Sequence, residues 1–149
     1  MVLVPLANPD GAQIGSRLNA RVVDLNRNFP AGNRQNTKRY GLRALSEPES
    51  NALYYLIQQY NPNRVVSIHQ PLRCVDYDGP GRELAQRMAA QCNLAVRKLG
   101  AKPGSLGSYV GNELEIPIIT LELARADDRN SRDELWRLYG KALLVMITN

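Results

Sequence analysis

Two short apolar runs, each ending near an ionisable side chain, constrain the fold of this chain most. Residues 64 to 69 read RVVSIH and residues 116 to 124 read IPIITLELA, and both have the length and β-branched content of buried strands. Apolar residues recur at helical spacing after each run, over residues 82 to 99 and from about 131 to 146. Strands that alternate with helices predict an α/β fold whose mixed or mostly parallel sheet is covered on both faces.

Further elements are predicted nearer the amino terminus. Residues 2 to 7 are predicted to form a buried strand that leads into the NPDG turn. A helix over residues 46 to 60 should begin with a capping box formed by Ser46 and Glu49. The long polar stretch between them, residues 12 to 45, has the composition of a functional loop. A second short strand is predicted from Arg73 to Tyr77.

Length, charge and cysteine content limit the number of domains, the kinds of partner and the cellular location that we expect. A chain of 149 residues that is 44% hydrophobic is predicted to form a single domain. The net charge is +5, yet the basic residues are dispersed without aromatic interleaving, so neither nucleic acid nor a membrane is an expected partner. Cys74 and Cys92 lack CxxC spacing, and no secretory leader or bilayer-length apolar run occurs. These features favour a cytoplasmic location.

Two ionisable residues lie at predicted strand ends, where α/β sheets usually bind ligands. Glu122 could act as a general acid or base if partial burial raises its pKa, or it could be a structural glutamate paired with an arginine. His69 is the only histidine in the chain. A solitary histidine is commonly a hydrogen-bonded structural residue, and as a zinc ligand it would need at least two further protein ligands.

The polar loop combines guanidinium groups with amides, a set that suits either a bound carboxylate or a solvated basic surface. The residues concerned are Arg17, Arg21, Arg27, Asn19, Asn26 and Asn28.

Seven short motifs together resemble the zinc carboxypeptidase family, and within it the bacterial murein peptide amidases, which cleave the bond between γ-D-glutamate and diaminopimelate. They are NPDG (8 to 11), RLNAR (17 to 21), VDLNRNFP (23 to 30), SEPES (46 to 50), SIHQPL (67 to 72), PGSLGSY (103 to 109) and ITLELA (119 to 124). The resemblance implies a three-layer sandwich with a mixed, mostly parallel sheet between helices. It also implies a zinc metallopeptidase whose substrate is a small peptide with a free carboxylate.

The resemblance assigns roles to six residues by their place in these motifs. It implies that His69 is a zinc ligand, that Glu122 is the general base, and that Arg17 stabilises the oxyanion. Asn26 and Arg27 would bind the substrate carboxylate. Asp24 would orient the first zinc-binding histidine without touching the metal.

The chain departs from the family pattern in two ways. The HxxE segment that carries two zinc ligands does not occur in it, so the chain is expected to be the carboxyl-terminal portion of the catalytic domain, with zinc bound only when the missing amino-terminal segment completes the site. The family also places a mobile tyrosine shortly before PGSLGSY, where this chain has Gly100 and Ala101.

Two other functions remain open. An amidohydrolase of the succinylglutamate desuccinylase and aspartoacylase group shares a DLNR-like loop, although NPDG and NRNFP favour the peptidase. A truncated or non-catalytic homologue could instead bind carboxylate-terminated peptides without zinc.

Overall fold

A computed structural model describes residues 1–148, which form two compact units. The loop unit comprises Met1–Pro62 and Ala101–Tyr109, and the sheet unit comprises Asn63–Gly100 and the chain from Val110 onward. That the whole chain forms a single domain stays a prediction.

The loop unit contains two α-helices. Helix α1 spans Pro9–Ile14, so NPDG opens a helix rather than a simple turn, and the Asn8 side chain accepts a hydrogen bond from the Gly11 amide at 3.0 Å. The strand predicted over residues 2 to 7 is wrong: this segment is irregular, and Leu3 is 74% exposed. A strand needs a neighbour for its backbone hydrogen bonds, and no strand within residues 1–148 pairs with this segment.

Helix α2 spans Pro48–Tyr60, which confirms the predicted helix. The predicted capping box is wrong, because the helix begins one residue later, with Glu47 as its N-cap and no side-chain cap. The Ser46 hydroxyl instead donates to Glu47 Oε1 at 2.8 Å. Residues 12 to 45 are largely irregular, as predicted, and include one short 3₁₀ helix, Leu25–Arg27.

The sheet unit is built on four strands, which confirm the predicted mixed sheet. They are β1 (Val65–His69), β2 (Leu72–Asp78), β3 (Ala95–Val96) and β4 (Ile118–Ala124). Their spatial order is β1-β4-β2-β3. Strand β1 runs parallel to β4 and β2 runs parallel to β3, whereas β2 and β4 are antiparallel.

Two helices pack on one face of this sheet. Helix α3 spans Arg82–Cys92 and is shorter than predicted, because Asn93 adopts a left-handed conformation (φ 50°) that ends it. Helix α4 spans Arg132–Leu144 and begins at the predicted serine cap, where Ser131 and Glu134 form a capping box.

A π-helical turn at Ser108–Glu113 and a 3₁₀ helix at Arg125–Arg129 complete the helices. Of the helices in residues 1–148, none is long and apolar enough to cross a membrane.

The hydrophobic core lies between α3, α4 and the sheet. Strand alternation sends Val75 and Leu121 into this core, so their neighbours Cys74 and Glu122 project from the opposite face. The core residues are Val75, Leu84, Ala85, Met88, Ala89, Ile119, Leu121, Tyr139, Ala142 and Val145.

Candidate active site

His69 and Glu122 lie side by side at the ends of two neighbouring strands. They are register partners in the parallel β1–β4 pair, and partners of this kind project from the same face of a sheet. Glu122 is only 8% exposed, and the Leu72 amide donates to its Oε2 at 3.3 Å. His69 Nε2 lies 2.8 Å from the Ser67 hydroxyl. The imidazole of His69 and the carboxylate of Glu122 therefore project from the same face of the sheet, on neighbouring strands.

Cys74 belongs to the same row of side chains, a position that sequence patterns did not single out. It is the antiparallel partner of Glu122, so His69, Glu122 and Cys74 follow one another across three adjacent strands. Burial and then the negative charge of Glu122 raise the pKa of the Cys74 thiol. A thiol that keeps its proton is a poor metal ligand. Only the strand pairing reveals this neighbour, because 47 residues of chain lie between Cys74 and Glu122.

The described residues do not assemble a complete metal site. Within residues 1–148, no group of three histidine, cysteine, aspartate or glutamate side chains is placed to hold a metal ion. A catalytic zinc needs three protein ligands. His69 can supply one imidazole, so the donor set of this chain does not fit a zinc ion by itself.

Arg17 and Asp24 form an ion pair in the loop unit. The distance from Arg17 Nε to Asp24 Oδ2 is 2.7 Å, and Asp24 is 4% exposed whereas 48% of the Arg17 side chain is exposed. Asp24 Oδ1 also accepts a hydrogen bond from the Asn26 amide at 3.1 Å, which caps the 3₁₀ helix. Asp24 thus holds the guanidinium of Arg17 through one nitrogen, Nε.

Asn26 and Arg27 occupy this 3₁₀ helix, and their neighbours constrain how they can bind a ligand. Asn26 Oδ1 accepts a hydrogen bond from the Leu106 amide at 2.8 Å, so the side-chain NH₂ is the group turned away from that contact. Arg27 Nη1 donates to the Asn26 carbonyl. Within residues 1–148, no carboxylate lies at ion-pair distance from Arg27. The pair therefore offers an amide donor beside a cation without a salt-bridge partner in the described chain.

Tyr109, the last residue of PGSLGSY, is a core residue of the loop unit. It is 5% exposed, its ring stacks on Phe29 at 6.2 Å, and its hydroxyl accepts a hydrogen bond from Gln58 at 2.7 Å. Burial raises the pKa of this phenol. A side chain packed in this way is not a mobile element.

The structure therefore brings the predicted residues together as two groups. His69 and Glu122 adjoin in the sheet unit, and the other four predicted residues adjoin in the loop unit. The four are Arg17, Asp24, Asn26 and Arg27.

Comparison with known proteins shows which family and which proteins this chain is similar to. The family model described as zinc carboxypeptidase matches residues 1–78. Murein peptide amidase A of Escherichia coli (strain K12) is 39% identical over 138 residues, covering 80% of this chain and 56% of that protein. Murein peptide amidase A of Vibrio campbellii is 38% identical over 134 residues, covering 78% of this chain and 53% of that protein. The chain thus spans about half the length of these curated relatives.

Solved structures agree with the fold. The murein-tripeptide amidase of Escherichia coli O157 is similar with a TM-score of 0.76 and 34% identity, over 96% of this chain and 66% of that one. A carboxypeptidase A from Helicoverpa armigera has a TM-score of 0.74 at 20% identity, over 97% of this chain and 49% of that one, which supports the fold alone. With its family model, its relatives and its fold in agreement, the chain belongs to the zinc carboxypeptidase family.

Proposed function

We propose that this chain carries the proton-transfer and carboxylate-binding residues of a hydrolase that cleaves a peptide or amide bond next to a free carboxylate. The proposed substrates are murein peptides, at the bond between γ-D-glutamate and diaminopimelate. The main support is the register pairing of His69 with Glu122, which sets an imidazole beside a buried carboxylate at strand ends. Similarity to the murein peptide amidases supports the choice of substrate.

Glu122 is the proposed general base. One of its oxygens accepts the Leu72 amide hydrogen bond, which orients the carboxylate. In this proposal the carboxylate takes a proton from the attacking water and passes it to the leaving amine.

Arg17 is the proposed stabiliser of the oxyanion. Its Nε is held by Asp24, so the guanidinium starts from a defined position and loses less freedom when an anion binds. Asp24 keeps its proposed orienting role towards a zinc-binding histidine, and in this chain its carboxylate also orients Arg17.

Asn26 and Arg27 are the proposed carboxylate-binding pair. Guanidinium groups bind carboxylates through two parallel hydrogen bonds, and an adjacent amide NH₂ adds a third donor. The Leu106 amide occupies the Asn26 side-chain oxygen, and Arg27 uses Nη1 for the Asn26 carbonyl. The Asn26 NH₂ group and the other guanidinium nitrogens of Arg27 are the donors proposed to bind the carboxylate.

Zinc enters this proposal only as a property of the complete catalytic site. Family membership implies zinc, and His69 is the proposed ligand from this chain. We propose that a segment carrying HxxE supplies the remaining ligands. A cytoplasmic location, which suits the two free thiols of Cys74 and Cys92, is part of the same proposal.

A second function is favoured by the incomplete donor set of residues 1–148. The chain would then bind carboxylate-terminated peptides through Asn26 and Arg27 without hydrolysing them. Metal analysis of the purified chain separates the two functions, together with a search for HxxE in the coding region upstream of Met1. Zinc together with an upstream HxxE supports the hydrolase, whereas the absence of both supports the binding protein.

The catalytic proposal is tested by Glu122→Gln in the complete protein, with Glu83→Gln as a matched control because Glu83 is exposed on α3. Hydrolysis of the murein tripeptide should fall by roughly a hundredfold or more in the first variant, since the base is lost. Metal content should not change in either variant, and Glu83→Gln should keep full activity. Turnover retained by Glu122→Gln would contradict the assigned role.

The binding proposal is tested by Arg27→Ala. The variant should bind peptides with a free carboxylate more weakly and amidated peptides as before, because only the former use the guanidinium. Equal losses for the two ligands would remove the proposed task of Arg27.

A further inference from the structure

Asn28 directly follows Arg27 and is completely buried, with 0% of its surface exposed. A buried asparagine must satisfy both its oxygen and its NH₂ group. The hydrogen-bond partners of Asn28 therefore show which parts of the chain it connects.

The Asn28 side chain is saturated with hydrogen bonds to the chain that follows it. Its Nδ2 lies at donor distance from the Tyr40 carbonyl (2.8 Å), the Ser46 hydroxyl oxygen (3.0 Å) and the Arg43 carbonyl (3.2 Å). Its Oδ1 accepts from the Ser50 hydroxyl (2.6 Å) and from the Glu47 amide (3.2 Å). One side chain thus fixes the loop over residues 40 to 47 and the first turn of α2.

Gly41 provides independent evidence that this contact is built into the loop. A Cβ atom at Gly41 would lie 2.4 Å from Asn28 Nδ2 and 2.4 Å from Ser46 Oγ, and its φ is 82°. Only glycine combines that conformation with that approach at low cost. The loop therefore leaves space for the Asn28 amide.

The main-chain groups of Asn28 control the 3₁₀ helix that carries Asn26 and Arg27. Asn28 is its C-cap, with the amide donating to the Leu25 carbonyl at 3.1 Å, while the Asn28 carbonyl accepts from the Leu45 amide at 2.7 Å. A helix of three residues is too short to be stable by itself. Its geometry depends on contacts with the surrounding chain, which include the Leu106 amide on Asn26 and the two buried caps, Asp24 and Asn28.

We propose that Asn28 is the positioning residue that sets the direction of the Asn26 and Arg27 donors. This inference rests on the proposed carboxylate-binding function. Asn28 does not touch the ligand in this proposal. It transmits the rigidity of α2 and of the 40 to 47 loop to the 3₁₀ helix, and thereby gives the chain its preference for a carboxylate over an amide.

The test compares two ligands, a γ-D-glutamyl-diaminopimelate dipeptide and the same dipeptide with its diaminopimelate α-carboxylate converted to an amide. The ratio of the two affinities is measured by NMR titration of the purified full chain. A variant that is merely less folded loses affinity for both ligands equally, so this ratio does not respond to a general loss of stability.

Asn28→Asp replaces the donor NH₂ by an acceptor and breaks the contacts with Tyr40 and Arg43. The affinity ratio should fall roughly tenfold, the effect of misaligning one charge-assisted hydrogen bond. Ser50→Ala removes only the hydroxyl that binds Asn28 Oδ1, adds no charge, and should lower the ratio by a smaller factor. Tyr139→Phe is the matched control, because it removes a buried hydrogen bond in the sheet unit.

The expected result is a reduced ratio in Asn28→Asp and Ser50→Ala and a wild-type ratio in Tyr139→Phe. An unchanged ratio in Ser50→Ala and in folded Asn28→Asp would overturn the positioning role while leaving the proposed function intact. A ratio of one in the wild-type chain would overturn the proposed function itself, and the positioning role with it.

Discussion

Removing the hydroxyl of Tyr139 should destabilise the sheet unit by an amount that depends on pH. The hydroxyl donates to Asp127 Oδ2 at 2.5 Å, and the two residues are 7% and 8% exposed. Asp127 also accepts from the Ala124 amide at 2.8 Å and from Asn130 Nδ2 at 3.1 Å. A hydrogen bond to a buried carboxylate contributes about 2 kcal/mol. Because two other donors remain on Asp127, we expect Tyr139→Phe to cost no more than this at neutral pH.

The pH dependence follows from the titration of the same phenol. Burial, followed by the hydrogen bond to Asp127 and its charge, raises the pKa of Tyr139 to about 12. An unfolded tyrosine has a pKa of about 10. Since the folded pKa is the higher one, the stabilisation is fully present below about pH 10 and is lost as the pH rises towards about 12. The loss amounts to roughly 3 kcal/mol when the phenol is ionised in both states.

Urea unfolding provides the measurement, with the fluorescence of Trp136 as the signal because Trp136 lies in α4 with Tyr139. The free energy of unfolding of the wild type should exceed that of Tyr139→Phe by no more than about 2 kcal/mol at pH 7. This advantage should disappear as the pH rises from about 10 towards about 12, because only the wild type has the phenol whose ionisation destabilises the folded state. A difference that stays constant across this range would refute the raised pKa of the buried Tyr139 phenol.

Two further predictions concern the same chain. Gly104→Ala should lower the free energy of unfolding by about 2 kcal/mol, because its φ is 66° and a Cβ would lie 2.4 Å from the Arg27 carbonyl oxygen. Gly100→Ala is the control, since its φ is 79° but nothing lies within 4 Å of the new atom; equal losses in urea unfolding would show that the close contact is unimportant. In a pulse of iodoacetamide followed by mass spectrometry, Cys92 should be modified faster than Cys74, because Cys74 is 0% exposed whereas Cys92 is partly exposed. Equal modification rates in the native chain would contradict the burial of Cys74.

Local patterns were sufficient for the elements whose stabilising contacts lie within a few residues. The β-branched runs predicted β1 and β4, and the serine before an apolar-periodic segment predicted α4, because capping and periodicity act over one or two helical turns. The motif order pointed to the family, which the comparisons confirm. The roles of the individual site residues stay predictions.

Other features depended on partners that are distant in the sequence. The segment 2 to 7 has strand composition, yet without a neighbouring strand in the described chain its backbone stays irregular. The predicted helix over residues 82 to 99 stops at Asn93, and Ala95–Val96 instead pairs with β2, because a sheet edge was available to satisfy that backbone.

By itself, the sequence determined which side chains are candidates for a functional site and the local elements on which most of them lie. Only the tertiary structure decided that Cys74 adjoins Glu122 and that Asn28 joins the 3₁₀ helix to α2. Periodicity and capping act between near neighbours along the chain, whereas strand register and the pairing of buried polar groups are settled when distant segments pack together.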